Sequence, residues 1–310
     1  AFGGPAFDLP YALARNPWDP NLFPGGSSSG SAVSVAAGFC HAAIGTDTAG
    51  SVRLPSSHCG LVGLKLTNGL VSLDGVEPLS QSLDSIGPFT RSVADAELIF
   101  ETLVRPVGPG CDPEAGTIAV PDAEWLNSIG CDFDAAAVFD AARSAATEAG
   151  FEIREVSLPP LQDIHAATAI IMMREVANIY SASVRADFKT FGEVFRARAL
   201  LGERISDRAY RAALLRCTKI ADLFRETLAD HAALLLPGHP SGPGPLTVVD
   251  KFYFLQRPNL NIVANATGMP VVSLPVLRDA ARRPLGIQMM SGRYKERELL
   301  KVGKLLEDKF

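Results

Sequence analysis

The sequence predicts an α/β fold with a largely parallel or mixed β-sheet, and three observations predict it. Short apolar runs punctuated by glycine and proline, such as GLVGLKLTNG and GTIAVPD, alternate with helical stretches. Residues 166–236 are almost free of glycine and proline and carry a helical apolar period. With 310 residues, 47% of them hydrophobic and 20% charged, the chain has apolar material for one large core or two modest ones.

Each element follows from local chemistry. Residues 1–24, interrupted by Pro5, Pro10, Pro17, Pro20 and Pro24, predict extended, looping backbone. SAVSVAAG (31–38) predicts a short helix stopped at Gly38, its small side chains allowing close approach to a neighbour. HAAIGTD (41–47) reads as a short buried strand entering a turn, and after Arg53 the pattern becomes strand-like through GLVGLKLTNGLVS. Ser92-Val93-Ala94-Asp95 is a capping box that opens a helix through AELIFETLV. GTIAVPD is a β-like run, Asp134 to Gly150 a helix with Asp134 as N-cap and Gly150 at C′, and FEIREVSLPP a strand.

Two or more long helices are expected within 166–236, including the amphipathic YRAALLRCTKIADLFRETLADHAALLL. PGHPSGPGP (237–245) is a loop. NLNIVANATGMPVVSLPVL gives a helix, a turn at Gly268-Met269-Pro270 and a strand. PLGIQMMSG gives another strand, and ERELLKVGKLLEDKF a closing amphipathic helix. No internal repeat is present.

A formal charge of −5 leaves no basic footprint, so nucleic acid is not expected as a direct ligand. The cysteines, Cys40, Cys59, Cys111, Cys131 and Cys217, are scattered, odd in number and without a C-x-x-C pair. They read as reduced thiols of a cytoplasmic protein rather than a disulfide framework or zinc site. No apolar run reaches the roughly 18–20 residues of a membrane span, so no membrane role is expected.

The chemistry concentrates between Gly25 and Gly69. GGSSSGS alone has the composition of a flexible linker. Two features argue against that: a buried-looking apolar run follows at once, and a second hydroxyl- and glycine-rich turn, GTDTAGSVR, follows at short range. Consecutive N–H groups of Thr48, Ala49, Gly50 and Ser51 could form a nest for an anion or a developing oxyanion, with a serine at its end to attack a carbonyl. G-x-x-x-x-G-K-[ST] and G-x-G-x-x-G after a strand are both absent, which weakens a phosphate-site reading. There is no G-x-S-x-G elbow and no lysine three residues after a serine. Of His41, His58, His165, His231 and His239, the first two lie near Ser51 in sequence, but a lone histidine beside a strand is more often structural.

GGSSSGSAVSVAAG followed by GTDTAGSVRLPSSHCGLVGLK resembles the signature of the amidase signature family of serine hydrolases. DSIGPFTRSVAD (84–95), NATGMPVVSLPV (265–276) and PLGIQMMSGRYKERELL (284–300) extend the likeness over nearly the whole chain. The resemblance implies the amidase signature fold, a central twisted mixed β-sheet covered on both faces by helices, as one domain over 1–310 with the helical region 166–236 inside it. It implies a Ser–Ser–Lys triad: Ser51 as acyl-forming nucleophile, and Ser27 as bridging serine behind a cis peptide bond that Gly26 makes less demanding. The amides of Thr48, Ala49, Gly50 and Ser51 would form the oxyanion hole, with Asp47 and Arg53 bracing the turn. A neutral lysine would take a proton from Ser27 and Ser27 one from Ser51, the relay running backward to protonate the leaving amine.

The sequence departs from the family at three points. No lysine precedes Lys65, which matches a later family lysine rather than the base, so an N-terminally incomplete and nearly inactive chain is expected. Ala49 stands where the family usually has glycine; a positive φ there would cost about 1 kcal/mol or more. Leu66 replaces the usual proline after Lys65.

The function implied is hydrolysis of a linear amide, with a small-molecule amide as substrate, no cofactor or metal, and room for a homodimer. The alternatives are the glutaminase subunit of a tRNA-dependent amidotransferase, and a non-catalytic binding protein that retains the fold. Pocket walls are expected from residues 1–24, where Phe7, Leu9, Tyr11 and Trp18 are candidates, and from 166–236, where Ile170, Met172 and Met173 are.

Overall fold

The computed structural model describes residues 5–104, 116–247, 251–252, 258–278 and 283–310, and its centre is one eight-stranded sheet. The strands are β1 (Ala43–Asp47), β2 (Val62–Lys65), β3 (Ser85–Thr90), β4 (Thr117–Pro121), β5 (Glu152–Val156), β6 (Ala233–Pro237), β7 (Val271–Arg278) and β8 (Pro284–Met290). Their order is β1-β3-β2-β7-β8-β6-β4-β5. Only β4 pairs in parallel, with β5 and β6; every other neighbouring pair is antiparallel. The sheet is therefore mixed, not largely parallel.

Among the described residues ten helices cover it: α1 (Ser29–Ala36), α2 (Arg53–Cys59), α3 (Val93–Leu103), α4 (Ala123–Ile129), α5 (Phe133–Glu148), α6 (Leu161–Ala186), α7 (Glu193–Gly202), α8 (Asp207–Thr227), α9 (Ile262–Thr267) and α10 (Glu296–Glu307). Side-chain alternation along the central strands divides the core in two. Ala119, Leu234, Leu236, Val271 and Met290 pack with α6, α8 and α9. Ile118, Val120, Leu235, Val272 and Met289 face the other way, against α3, α5 and α10. A third cluster joins α1 and α2 through Ala32, Val35, Val52, Cys59 and Phe89.

Several expectations change. Ala233–Pro237 is a central strand, buried throughout, and not part of the helical region. A short leucine run has no period that separates a buried strand from a buried helix. Helix α5 is capped by Asp132, whose carboxylate accepts from Ala135 N at 2.8 Å, rather than by Asp134. Asp132 N is itself tied to Pro240 O at 2.8 Å, which fixes where the helix begins. The residues just after Arg53 form helix α2, with Pro55 in its first turn where the missing N–H costs nothing. Strand β1 is an edge strand, only alternately buried, and not a fully buried one. Ser92 caps α3 as expected, accepting from Asp95 N. Cys40, Cys59, Cys131 and Cys217 are free thiols, while Cys111 lies outside the described residues. No helix among the described residues is long and apolar enough to cross a membrane.

Candidate active site

Two turns meet at the end of β1. The first, Gly25-Gly26-Ser27, leads into α1; the second, Thr48–Val52, connects β1 to α2. Small residues let the three elements close on one another. A Cβ on Gly25, at φ +82°, would fall 2.6 Å from Pro55 Cα, and one on Gly45 would meet Ser28 and Phe89. Ser28 stitches the turn to the strand, its Oγ donating to Thr46 O at 3.1 Å and accepting from Thr46 N at 3.2 Å. The Gly26–Ser27 peptide bond is cis. Ser27 Oγ and Ser51 Oγ stand 3.1 Å apart, hydrogen-bonded.

The second turn is built around a buried ion pair. Asp47 Oδ1 accepts from Gly50 N at 2.9 Å and Oδ2 from Val52 N at 3.1 Å. Arg53 grips the same carboxylate in a fork, Nη2 to Oδ1 at 2.8 Å and Nε to Oδ2 at 3.1 Å. Burial alone would raise the Asp47 pKa, but the guanidinium and the donors around it hold the carboxyl well below the usual range. The pair is anchored to distant segments: Arg53 Nη1 donates to Asn261 O at 2.6 Å and Gln288 Oε1 at 3.1 Å, and Nη2 to Asn265 Oδ1 at 2.6 Å. Asn265 Nδ2 returns to Asp47 O and Asp47 Oδ1, both at 3.0 Å.

This wiring assigns the amides of the second turn, the Thr48–Val52 strap, different environments. Gly50 N is directed into the Asp47 carboxylate, and Gly50 takes φ +107° against the Asn261 side chain, 2.4 Å from where a Cβ would lie. Among the described residues no hydrogen bond engages the N–H of Thr48, Ala49 or Ser51. Ala49 has no positive φ, so alanine in place of glycine carries no conformational penalty there. Its carbonyl accepts from Asn259 Nδ2 at 3.0 Å, and Thr48 Oγ1 donates to Asp84 Oδ1 at 2.5 Å.

Other sequence candidates lie apart from Ser51. His41 is exposed and contacts Arg91; His58 is buried against His239, ring centroids 5.1 Å apart. Lys65 is fully buried, and its Nζ donates to Leu66 O at 2.9 Å, Asn68 Oδ1 at 2.8 Å and Met269 O at 3.0 Å. Burial brings its pKa down to about 7. A cavity of about 550 Å³ opens between α8, α9 and the 292–295 turn, lined in part by Asn68, Leu83, Cys217, Asn265 and Met269, but neither Ser27 nor Ser51 lines it. Of the expected pocket residues, Tyr11 is 73% exposed, Trp18 is hydrogen-bonded to Cys59 O, and Met172 and Met173 are core; none lines this cavity. Among the described residues no cluster could hold a metal ion.

Sequence reasoning misses Asp84, Asn259, Asn261, Asn265 and Gln288. The signal they carry is that of polar residues inside apolar runs: Asn261 and Asn265 lie one helical turn apart in NLNIVANAT, and Gln288 lies within PLGIQMM.

Comparison with known proteins points to one family. The family model described as Amidase matches residues 7–300. A Glutamyl-tRNA(Gln) amidotransferase subunit from Pseudothermotoga lettingae is 31% identical over 340 residues, covering 96% of this chain and 72% of that protein. A solved structure titled as a crystal structure of amidase superposes with TM-score 0.88 at 31% identity, covering 96% of this chain and 69% of the other. The corresponding Glutamyl-tRNA(Gln) amidotransferase subunit from Thermotoga maritima superposes with TM-score 0.79 at 28% identity, covering 95% and 68%.

Proposed function

The chain belongs to the amidase family, and from that premise we propose that it cleaves the carbon–nitrogen bond of an amide through an acyl-enzyme on Ser51. The observation that carries the reading is the 3.1 Å contact between Ser27 Oγ and Ser51 Oγ, beside a strap held by Asp47 and Arg53. Ser51 Oγ attacks the amide carbonyl carbon while its proton passes to Ser27 Oγ. The carbonyl oxygen becomes an oxyanion and accepts from the amides of Thr48, Ala49 and Ser51; the Gly50 amide, already donated to Asp47, shapes the strap. The tetrahedral intermediate collapses with loss of the amine, which takes a proton back through Ser27, and water then hydrolyses the Ser51 ester. The base behind Ser27 is the lysine that the family resemblance implies. Lys65 is not proposed for it, because its Nζ donates to three oxygens, those of Leu66, Asn68 and Met269, and none of Ser27.

Glutamine is the substrate placed first, because the relatives named above are amidotransferase subunits, and ammonia would then pass to a partner protein. Hydrolysis of a simple linear amide by a stand-alone enzyme comes second, favoured by the TM-score of 0.88 to a structure titled as an amidase. The scattered free thiols support a cytoplasmic location.

Ammonia release from glutamine and from short alkyl amides, measured on the full-length protein with and without co-purifying proteins, separates these substrates. Fluorophosphonate labelling tests the chemistry. Ser51→Ala is expected to abolish labelling and Ser27→Ala to slow it about 100-fold or more. Labelling that survives Ser51→Ala overturns the nucleophile assignment, and a wild-type protein inert to every amide and to the probe favours a binding protein that retains the fold.

A further inference from the structure

A second polar network reaches the strap from the helical layer. Glu175, on α6 and 6% exposed, accepts from Ser80 Oγ, from Ser82 N at 3.0 Å, from Ser82 Oγ at 2.5 Å, and from Tyr210 OH on α8 at 2.6 Å. The carboxylate is thereby saturated with donors, and it joins two long helices to the turn that precedes β3. That turn is closed on itself by Asp84, whose Oδ2 accepts from Leu79 N at 2.8 Å and Ser80 N at 2.9 Å. The other oxygen of Asp84 accepts from Thr48 Oγ1 at 2.5 Å. Tyr180, also on α6, holds the approach to the turn, its single O–H shared between Pro78 O at 2.5 Å and Glu77 Oε1 at 2.8 Å.

The strap is thus gripped from two sides. Asp47 holds Gly50 and Val52 from beneath, and Asp84 holds Thr48 from the turn. Oxyanion donors work only when aimed at the developing charge to within a fraction of an ångström, so whatever fixes Thr48 fixes the rate. We infer that Glu175 and Asp84 are positioning residues of the amidase site: Glu175 fixes the Ser80–Ser82 turn to the α6–α8 pair, and Asp84 transmits that position to Thr48. This rests on the reading of Thr48–Ser51 as the oxyanion strap. It adds that the helices, not only the buried ion pair, set the strap's geometry.

The test is steady-state amide hydrolysis and fluorophosphonate labelling of the full-length protein carrying Asp84→Asn, Glu175→Gln, the double substitution, or Tyr210→Phe, with Ser51→Ala as reference. Asp84→Asn and Glu175→Gln are each expected to lower kcat about tenfold with KM within about twofold, because the strap and not the substrate pocket is displaced. The double variant is expected to be no slower than Asp84→Asn alone, since both act through one turn; independent effects would multiply. Tyr210→Phe removes one donor from a partly buried position and is expected to lower kcat about threefold. A purely structural role predicts a lower melting temperature with kcat unchanged in the folded protein, and that result overturns the inference. So do effects that multiply, or, where the carboxylate variants fail to fold, wild-type kcat in Tyr210→Phe. Turnover that survives Ser51→Ala overturns the acyl-enzyme reading and this inference with it. Turnover that needs Ser51 but is indifferent to Asp84 and Glu175 overturns this inference alone.

Discussion

Arg53 and Asp47 are both nearly inaccessible to solvent, and each satisfies the other's charge. A buried pair of this kind adds little net stability over an apolar pair, but removing one partner leaves the other charge uncompensated. Arg53→Met is therefore expected to cost about 3–5 kcal/mol in urea denaturation, and to cost activity in any molecules that fold. A loss under about 1 kcal/mol would mean that Asn265 and the strap amides alone neutralise Asp47. At this scale the sequence is informative where function compresses residues into one short stretch. Ser27, Asp47, Ser51 and Arg53 all lie within GGSSSGS and GTDTAGSVR, and the structure brings them together. The partners that hold them arrive from other segments of the chain: Asp84 from the turn before β3, Asn261 and Asn265 from the start and body of α9, and Gln288 from β8. Nothing local marks an asparagine as the one that will face Arg53, so those contacts become legible only once the chain is folded.

Helices with a capping side chain, such as α3 and α8, or with a clear amphipathic period, such as α8 and α10, are legible in the sequence because their signals are local. Helix α2 and strand β6 are not. Nearly every residue of the two is buried, so neither shows the polar–apolar contrast from which a period is read. Close packing between elements is likewise hidden until the neighbour is known, and glycines show it best. A Cβ on Gly202, at the end of α7, would fall 2.0 Å from Met173 O and 2.9 Å from Ala177 Cβ on α6. Backbone cannot yield as a flexible side chain would, so Gly202→Ala is expected to destabilise by about 1–3 kcal/mol. Gly30, within α1, has nothing within 4 Å of its added Cβ and no positive φ. Gly30→Ala is expected to be neutral or to stabilise by about 0.4–1 kcal/mol. Thermal or urea unfolding of the two variants checks the opposite signs; equal effects would mean that α6 and α7 are not held at the observed distance.

The order of the sheet strands belongs to the whole molecule, and no local pattern dictates it. The same is true of the meeting point of His58 and His239, which joins α2, the segment after β6 and the early chain at Phe23. There, Phe23 N donates to Gly244 O at 2.8 Å, so three regions distant in sequence close over two imidazoles. Burial keeps both rings neutral: it holds His58 well below 6.5, helped by His239, and it lowers His239 against the opposing pull of the Ser241 backbone and Asp132. The unfolded chain takes up these protons near pH 6.5 while the folded chain does not. The histidine contribution to stability is therefore complete above pH 6.5 and is lost as pH falls toward the folded-state values, by at most about 1.4 kcal/mol per pH unit for each ring. Carboxylates complicate the raw profile, since burial raises Asp84 and Glu307, which makes acid stabilising at those two sites. A difference experiment removes that background. His58→Leu keeps an apolar surface toward Phe23 and His239 and lacks the proton-binding ring. The stability of the wild type relative to His58→Leu is expected to fall by about 1–2 kcal/mol between pH 6.5 and 5.0, measured by urea unfolding at each pH. A difference that stays flat across that window would mean that His58 takes up its proton in the folded state as readily as in the unfolded one, and that the early chain does not seal this junction from water.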